Sequence, residues 1–160
     1  MNADIVKLIP PGKTLIIEAS DGQRIIANAF KVFKSGISPE FKKYGSNINC
    51  LPSRETLLVV YELTVDIKTC DVFPNIYHNL DKMVLTQEQI IRLCERFPEV
   101  LCQKGYATLF LTKELDYYFI VSVYAHSSGL YVDISPLSDQ SSLKAKEHNR
   151  IICPKFNLAA

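Results

Sequence analysis

Cysteine and histidine are the residues of this sequence with the clearest capacity for chemistry. The chain contains five cysteines and three histidines, and a catalytic cysteine needs an imidazole close to its thiolate. Cys50 and Cys70 stand in loop-like surroundings, which predicts partial exposure, and His126 follows a predicted strand and precedes a turn. His78 is the other candidate base. We therefore consider a cysteine-dependent enzyme that uses Cys50 or Cys70 with His126 or His78, although no local motif surrounds these residues.

The spacing of the chemically active residues predicts neither a metal site nor a cofactor. Structural zinc sites usually draw their ligands from closely spaced pairs, and the cysteines here form no CxxC pair. The phosphate-binding patterns GxxxxGK[ST] and GxGxxG do not occur either. We expect no metal ligands and no cofactor.

Tyrosine is the third residue type that suggests a function, in this case recognition. Tyr118 and Tyr124 share one face of a predicted strand over 117–125, and Tyr131 falls on the next strand. Tyrosine-rich surfaces suit partner binding because the ring offers a large rigid area with a polar tip. These residues predict a surface for a protein partner or for self-association. An equally open alternative is that a second layer of the same domain covers the rings.

Lysines alternate with aromatic residues in the segment 31–44. Such a pattern can contact a nucleic-acid backbone and stack on bases. The formal net charge is only +1, whereas nucleic-acid binders usually carry a clear basic surplus. A solvated basic face with its aromatic rings turned to the core is therefore favoured, and nucleic-acid binding is the weaker alternative. The residues are Phe30, Lys31, Phe33, Lys34, Phe41, Lys42, Lys43 and Tyr44.

A capped helix is the element with the strongest local signal. Thr86 and Gln89 form a capping-box pattern, and Leu85 and Ile90 occupy the positions of a hydrophobic staple. The apolar positions that follow recur at helical spacing, and Pro98 interrupts them. We predict one principal helix at about 86–104, which packs through Ile90, Cys94, Phe97 and Leu101.

The remaining pattern predicts strands joined by tight turns, which indicates antiparallel pairing. Asp21-Gly22 predicts a hairpin turn between two strands. The other predictions are a long strand over 56–66, a connection over 67–84, a β-meander over 106–135, a short exposed helix within 138–149 and a last strand over 150–153. A further short helix, capped by Ser38-Pro39-Glu40 with the proline at its first position, is predicted to run through Lys43. The predicted fold class is α+β, with a predominantly antiparallel sheet and the principal helix packed on the C-terminal β-meander.

The length of 160 residues fits a single domain over 1–160, with the loop-rich stretch 35–55 as the break if there are two subdomains. No apolar run approaches the roughly 18 residues that span a bilayer, and no secretory signal is visible. These features favour a cytoplasmic protein with free thiols and no membrane association.

Three functional hypotheses follow from the sequence. The first is a non-enzymatic intracellular protein-interaction module, with Tyr118, Tyr124 and Tyr131 or the 35–55 loop as its contact surface. The second is the small cysteine-dependent enzyme. The third is nucleic-acid binding through residues 31–44.

Overall fold

The computed structural model describes residues 5–10, 15–46 and 51–156 of the chain. Its strands are β1 (Val6–Ile9), β2 (Ile16–Ile17), β3 (Gly36–Ile37), β4 (Thr56–Leu63), β5 (Ile67–Lys68), β6 (Ala107–Glu114), β7 (Tyr117–His126), β8 (Gly129–Pro136), β9 (Ser142–Leu143) and β10 (Arg150–Pro154). Its α-helices are α1 (Glu40–Lys43), α2 (Thr69–Ile76) and α3 (Gln87–Arg96). Short 3-10 turns lie at Ile26–Asn28, Leu80–Lys82, Pro98–Val100 and Ala145–Glu147.

An eight-stranded sheet dominates the fold, in the order β1-β4-β10-β6-β7-β8-β3, with β2 beside β4. Its neighbours are antiparallel except for the parallel pairs β10–β6 and β3–β8. The last strand, β10, lies between β4 and β6, and its residues Ile151, Ile152 and Cys153 are fully buried. The predicted α+β class with a mostly antiparallel sheet is confirmed.

Two apolar cores lie on the two faces of this sheet. Along β7, Phe119 and Val121 belong to the core that contains α3, whereas Ile120 belongs to the core that contains α2. This alternation follows from the two-residue period of a strand. The prediction that α3 packs on the meander through its apolar stripe is confirmed, since the stripe and the meander share one core cluster. A second layer was one of the two alternatives left open by the sequence, but the helix α2 that builds it was not predicted.

The start of α3 is confirmed, but its predicted end is wrong. Thr86 Oγ1 accepts the Gln89 N–H at 3.2 Å, and Gln89 Oε1 accepts the Thr86 N–H at 2.9 Å. The helix ends at Arg96 rather than near residue 104. Phe97 leaves the helical conformation because the ring of Pro98 disfavours it in the preceding residue.

The predicted hairpin at Asp21-Gly22 does not form. Only Ile16–Ile17 is a strand, paired with β4, and Ile26–Asn28 is a 3-10 turn. Side chains of α3 satisfy the backbone donors that a second strand would have used. The buried Glu88 carboxylate accepts the N–H groups of Gly22 and Arg24 at 3.3 and 3.2 Å, and Gln87 Oε1 accepts the Ile26 N–H at 2.9 Å.

Two predicted connections contain unexpected structure. Residues 67–84 include α2, which tolerates Pro74 because it buries Val72, Phe73 and Ile76 completely. The predicted helix within 138–149 is replaced by β9, which pairs with β5, and a 3-10 turn. The short helix predicted through Lys43 is confirmed as α1, which begins at Glu40 with Pro39 as its N-cap.

The long strand predicted over 56–66 is β4, which ends at Leu63. Its residue Glu62 lies 3.1 Å from Lys7 Nζ and 3.4 Å from His148 Nδ1. Burial alone would raise the pKa of Glu62, but the hydrogen bonds from Lys7 and His148 outweigh it, so the pKa is lowered. Glu62 therefore stabilises the fold in its ionised form.

The described residues include no helix that is both long and apolar enough to cross a membrane. Within the 35–55 segment, α1 contacts β8 and Ser53 bridges to Ser20. Residues 47–50 lie outside the described residues. The single-domain interpretation stays a prediction.

Candidate functional site: a basic cleft

A cleft of about 840 Å³ opens where β4 begins and β10 ends. Three parts of the chain line it: Arg54 and Thr56 at the start of β4, residues from the stretch 77–84 between α2 and α3 together with Gln89, and residues 154–156 at the end of β10. We call it the basic cleft and define it by its basic and aromatic residues. These are Arg54, Tyr77, His78, Lys82, Lys155 and Phe156.

Local backbone structure explains how these stretches meet. Helix α2 ends at Ile76 because Tyr77 adopts an extended conformation, and a 3-10 turn then carries the chain toward the cap of α3. On the opposite side, the Lys155 N–H donates to the Leu57 carbonyl at 2.8 Å. This bond holds the segment after β10 against β4, so that Phe156 reaches the residues that follow α2.

The electrostatic character of the cleft is positive. Arg54, Lys82 and Lys155 are exposed, and none of them forms an ion pair with a carboxylate of the residues that the structure describes. Asp81 also lines the cleft, but Tyr118 Oη donates to it and Lys113 Nζ lies 3.2 Å away. Its hydrogen bonds with Tyr118 and Lys113 lower the pKa of Asp81. The one carboxylate of the lining is therefore already compensated.

An aromatic wall forms one side of the cleft. The rings of Tyr77 and Phe156 are stacked with their centroids 4.4 Å apart, and His78 lies 4.6 Å from Tyr77 on a tilted plane. Tyr77 is buried, Phe156 is half-buried and His78 is exposed. A ligand ring can therefore reach Phe156 and His78, whereas Tyr77 serves to support them.

This lining is suited to binding. Cationic side chains attract an anionic group, and the aromatic wall offers a surface for an apolar or aromatic group. Within the described ranges, no cluster of three or more His, Cys, Asp or Glu residues could hold a metal ion. The chemistry that the basic cleft supports is recognition of an anion beside an apolar surface.

The structure does not place Cys70 beside His78. Cys70 lies at the start of α2, and the six helical steps to Ile76 already cover about 9 Å at about 1.5 Å per residue. His78 lies two residues beyond that end, after the extended residue Tyr77. The Cys70 sulfur instead accepts a hydrogen bond from Gln140 Nε2 at 3.7 Å. Cys50 lies outside the described residues.

One thiol and one histidine do share a pocket, in a combination that the sequence did not suggest. Cys94 and His126 both line a shallow depression of about 570 Å³ beside the end of β7. Cys94 is buried, and burial raises the pKa of its thiol. Burial likewise raises the pKa of Cys153 to about 12. A thiol held protonated at neutral pH is a poor nucleophile, so neither cysteine fits the cysteine-dependent mechanism.

The tyrosines predicted as a binding surface fall into two separate groups. Tyr118 donates a hydrogen bond to Asp81, which lines the basic cleft, so Tyr118 lies beside this cleft. Tyr124 instead pairs with Tyr131 on the neighbouring strand, with the ring centroids 6.2 Å apart. Tyr118 and Tyr124 are about 20 Å apart along β7 at about 3.3 Å per residue. Ile120, between them, is fully buried in the core that contains α2. The face is thus partly covered by a second layer, and both tyrosines are half-buried.

The basic segment 31–44 places most of its aromatic rings in the interior. Phe33 and Phe41 are each 1% exposed, and Tyr44 packs on Phe119 with the ring centroids 5.0 Å apart. Phe30 is the exception, with 68% of its surface exposed. The arrangement follows the favoured interpretation of a solvated basic face over buried aromatic rings.

Sequence reasoning identified His78 but missed the cleft around it. The basic cleft combines stretches that are distant in sequence, and the helix that positions the middle stretch was not predicted. The only local signal is the run Pro154-Lys155-Phe156, in which a cation and an aromatic ring follow the end of a strand. No protein-family model matches the chain, and no curated protein or solved structure matches it at a significant level.

Proposed function

We propose that this protein is a non-catalytic interaction module that captures an acidic segment of a partner protein in the basic cleft. One observation carries the proposal: Arg54, Lys82 and Lys155 line one cleft and have no carboxylate partner among the described residues. A cleft lined by one sign of charge concentrates the field and raises the local concentration of oppositely charged groups. An acidic ligand supplies the charge that the fold leaves uncompensated.

An exposed apolar strip beside the cleft supports a protein as the partner. Leu8, Ile16 and Leu57 are 57%, 36% and 38% exposed. They share one face of the sheet, because Ile16 pairs with Leu57, and Leu8 pairs with Tyr61, which lies on the same face of β4 as Leu57. Leu57 also bonds to Lys155 of the cleft. A ligand that covers both the cleft and the strip needs acidic and apolar groups in one chain, as a peptide segment has.

The test compares two variants that remove equal charge from different surfaces. In the first, Arg54, Lys82 and Lys155 become glutamine; in the control, Lys31, Lys34 and Lys42 become glutamine. The probe is a fluorescent hexaglutamate peptide, followed by anisotropy at low and high salt. Exposed ion pairs contribute about 0.2–1 kcal/mol each, and 1.4 kcal/mol corresponds to about tenfold in affinity. We expect about tenfold weaker binding for the cleft variant and little change for the control. Equal losses in both variants would mean that the peptide binds through net charge alone.

A second contact surface is proposed for the aromatic group at the other end of β7. Tyr124, Tyr131 and His126 are neighbours there, with Tyr124 and His126 stacked at 6.3 Å between ring centroids. Half-exposed tyrosines favour protein contact over other ligands. Cys70, Cys94, Cys102 and Cys153 are free thiols, which supports a reducing compartment such as the cytoplasm for this function.

A further inference from the structure

We infer that the acidic group held in the basic cleft is a phosphate monoester on an aromatic ring, as phosphotyrosine presents it within a peptide segment. This inference rests on the proposed function and specifies its ligand. Three features of the cleft carry it: the number of its cations, its aromatic wall and its position beside the apolar strip.

The charge of the cleft matches a dianion better than a single carboxylate. A phosphate monoester carries about −1.5 to −2 charges at pH 7 and three acceptor oxygens. The cleft offers the guanidinium of Arg54, which suits bidentate contact with phosphate, and the ammonium groups of Lys82 and Lys155. Asp81 does not offset them, because Lys113 and Tyr118 already bind it. A lone carboxylate would leave part of this positive charge uncompensated.

The aromatic wall accounts for the ring in the ligand. Phe156 is held in place by its stack on Tyr77, and His78 stands exposed beside it. Aromatic pairs prefer offset-stacked or edge-to-face contacts at centroid distances of about 4.5–7 Å. The volume of about 840 Å³ accommodates a ring, its phosphate and adjoining backbone, and it lies within the range of about 300–1,000 Å³ that is usual for ligand pockets.

The apolar strip accounts for the peptide that bears the ring. It begins at Leu57, beside the cleft, and extends to Leu8, whose partner Tyr61 lies further along β4. This distance along β4 is about 13 Å at about 3.3 Å per residue. About four residues of an extended peptide span it, so apolar residues close to the phosphotyrosine would lie on the strip.

The experiment separates charge from ring with four small probes. These are phenyl phosphate, glycerol phosphate, phenylacetate and adenosine monophosphate, each titrated by NMR into the chain of 160 residues. We expect phenyl phosphate to bind at least tenfold more tightly than glycerol phosphate and phenylacetate. In the variants Phe156→Leu and His78→Ala, the ratio of the affinity for phenyl phosphate to that for glycerol phosphate should fall at least threefold. The affinity for glycerol phosphate itself should not change. Phe30→Leu, at an exposed phenylalanine elsewhere, is the matched control and should change nothing.

Each other outcome overturns the inference in a distinguishable way. Equal binding of phenyl phosphate and glycerol phosphate would show that the ring is not recognised, and the proposed acidic-segment function would survive. If phenylacetate bound as tightly as phenyl phosphate, a ligand with a single negative charge would be enough to fill the site. Tighter binding of adenosine monophosphate than of phenyl phosphate would identify a nucleotide site instead. If neither phosphates nor hexaglutamate bind, the proposed function fails as well. His78→Ala keeps the test decisive if Phe156→Leu does not fold, because His78 is exposed.

Discussion

Replacing Glu88 with alanine should destabilise the protein severely, because this buried carboxylate fastens the segment after β2 to α3. Glu88 is 1% exposed, accepts the N–H groups of Gly22 and Arg24, and lies 3.8 Å from Arg92 Nη2. Hydrogen bonds to charged groups contribute about 1.5–3 kcal/mol each, and the ion pair with Arg92 adds less because the Arg92 side chain is 29% exposed. These contributions overlap, so we expect Glu88→Ala to lower the free energy of unfolding by about 3–5 kcal/mol. The total free energy of unfolding of a typical domain is only about 5–15 kcal/mol.

Glu95→Ala is the matched control for this prediction. Glu95 lies on the same helix and pairs with the same Arg24 at 2.6 Å, but both side chains are about two-fifths exposed. Exposed pairs contribute about 0.2–1 kcal/mol, so Glu95→Ala should cost less than about 1 kcal/mol. Glu88→Gln should fall between the two, because its amide keeps one acceptor oxygen.

Urea unfolding followed by circular dichroism measures all three variants. Hydrogen exchange of the Gly22 and Arg24 amides supplies a local readout, which should accelerate in Glu88→Ala and not in Glu95→Ala. The reasoning is refuted if Glu88→Ala unfolds no more readily than Glu95→Ala, since the carboxylate would then not be what holds this segment in place of a hairpin.

Three further predictions concern reactivity, pH and the tyrosines. Maleimide at pH 7.5 should label Cys70 well before Cys153, whose pKa burial raises to about 12; fast labelling of Cys153 would contradict this. Because the folded pKa of Glu62 is lowered from 4.5, its contribution is present above pH 4.5 and lost as the pH falls through the folded value. Urea titrations should therefore show Glu62→Gln to be less stable than wild type at pH 7 and equal to it near pH 2. Tyr124→Ser should lower the urea midpoint more than Tyr118→Ser, because Tyr118 makes its hydrogen bond at the surface; the reverse order would be inconsistent with the two-group arrangement.

Features encoded by neighbouring residues could be predicted from the sequence. The cap of α3 depends on Thr86 and Gln89, which lie within one turn, and the meander depends on alternation within each strand. The apolar stripe of α3 and the Phe119 face of β7 could therefore be assigned to one core from the sequence alone.

Features decided by distant residues could not be predicted in this way. Asp21-Gly22 has the composition of a hairpin turn, but Glu88 and Gln87 take over its backbone donors from another element. Helix α2 contains Pro74, and a proline inside a helix normally disfavours it because it removes a backbone hydrogen bond. The helix forms nevertheless because its apolar residues are buried against the sheet. The basic cleft depends on α2, because the residues that follow this helix bring His78 and Lys82 to the end of β10.

The proposed site is tested most directly by NMR mapping of an isotope-labelled protein during titration with hexaglutamate. We expect the amides with the largest shift changes to lie in residues 54–56, 77–84 and 154–156, and we expect these changes to vanish when Arg54, Lys82 and Lys155 are replaced with glutamine. Shift changes concentrated in residues 31–44, or changes that persist in that variant, would contradict the assignment of the basic cleft as the binding site.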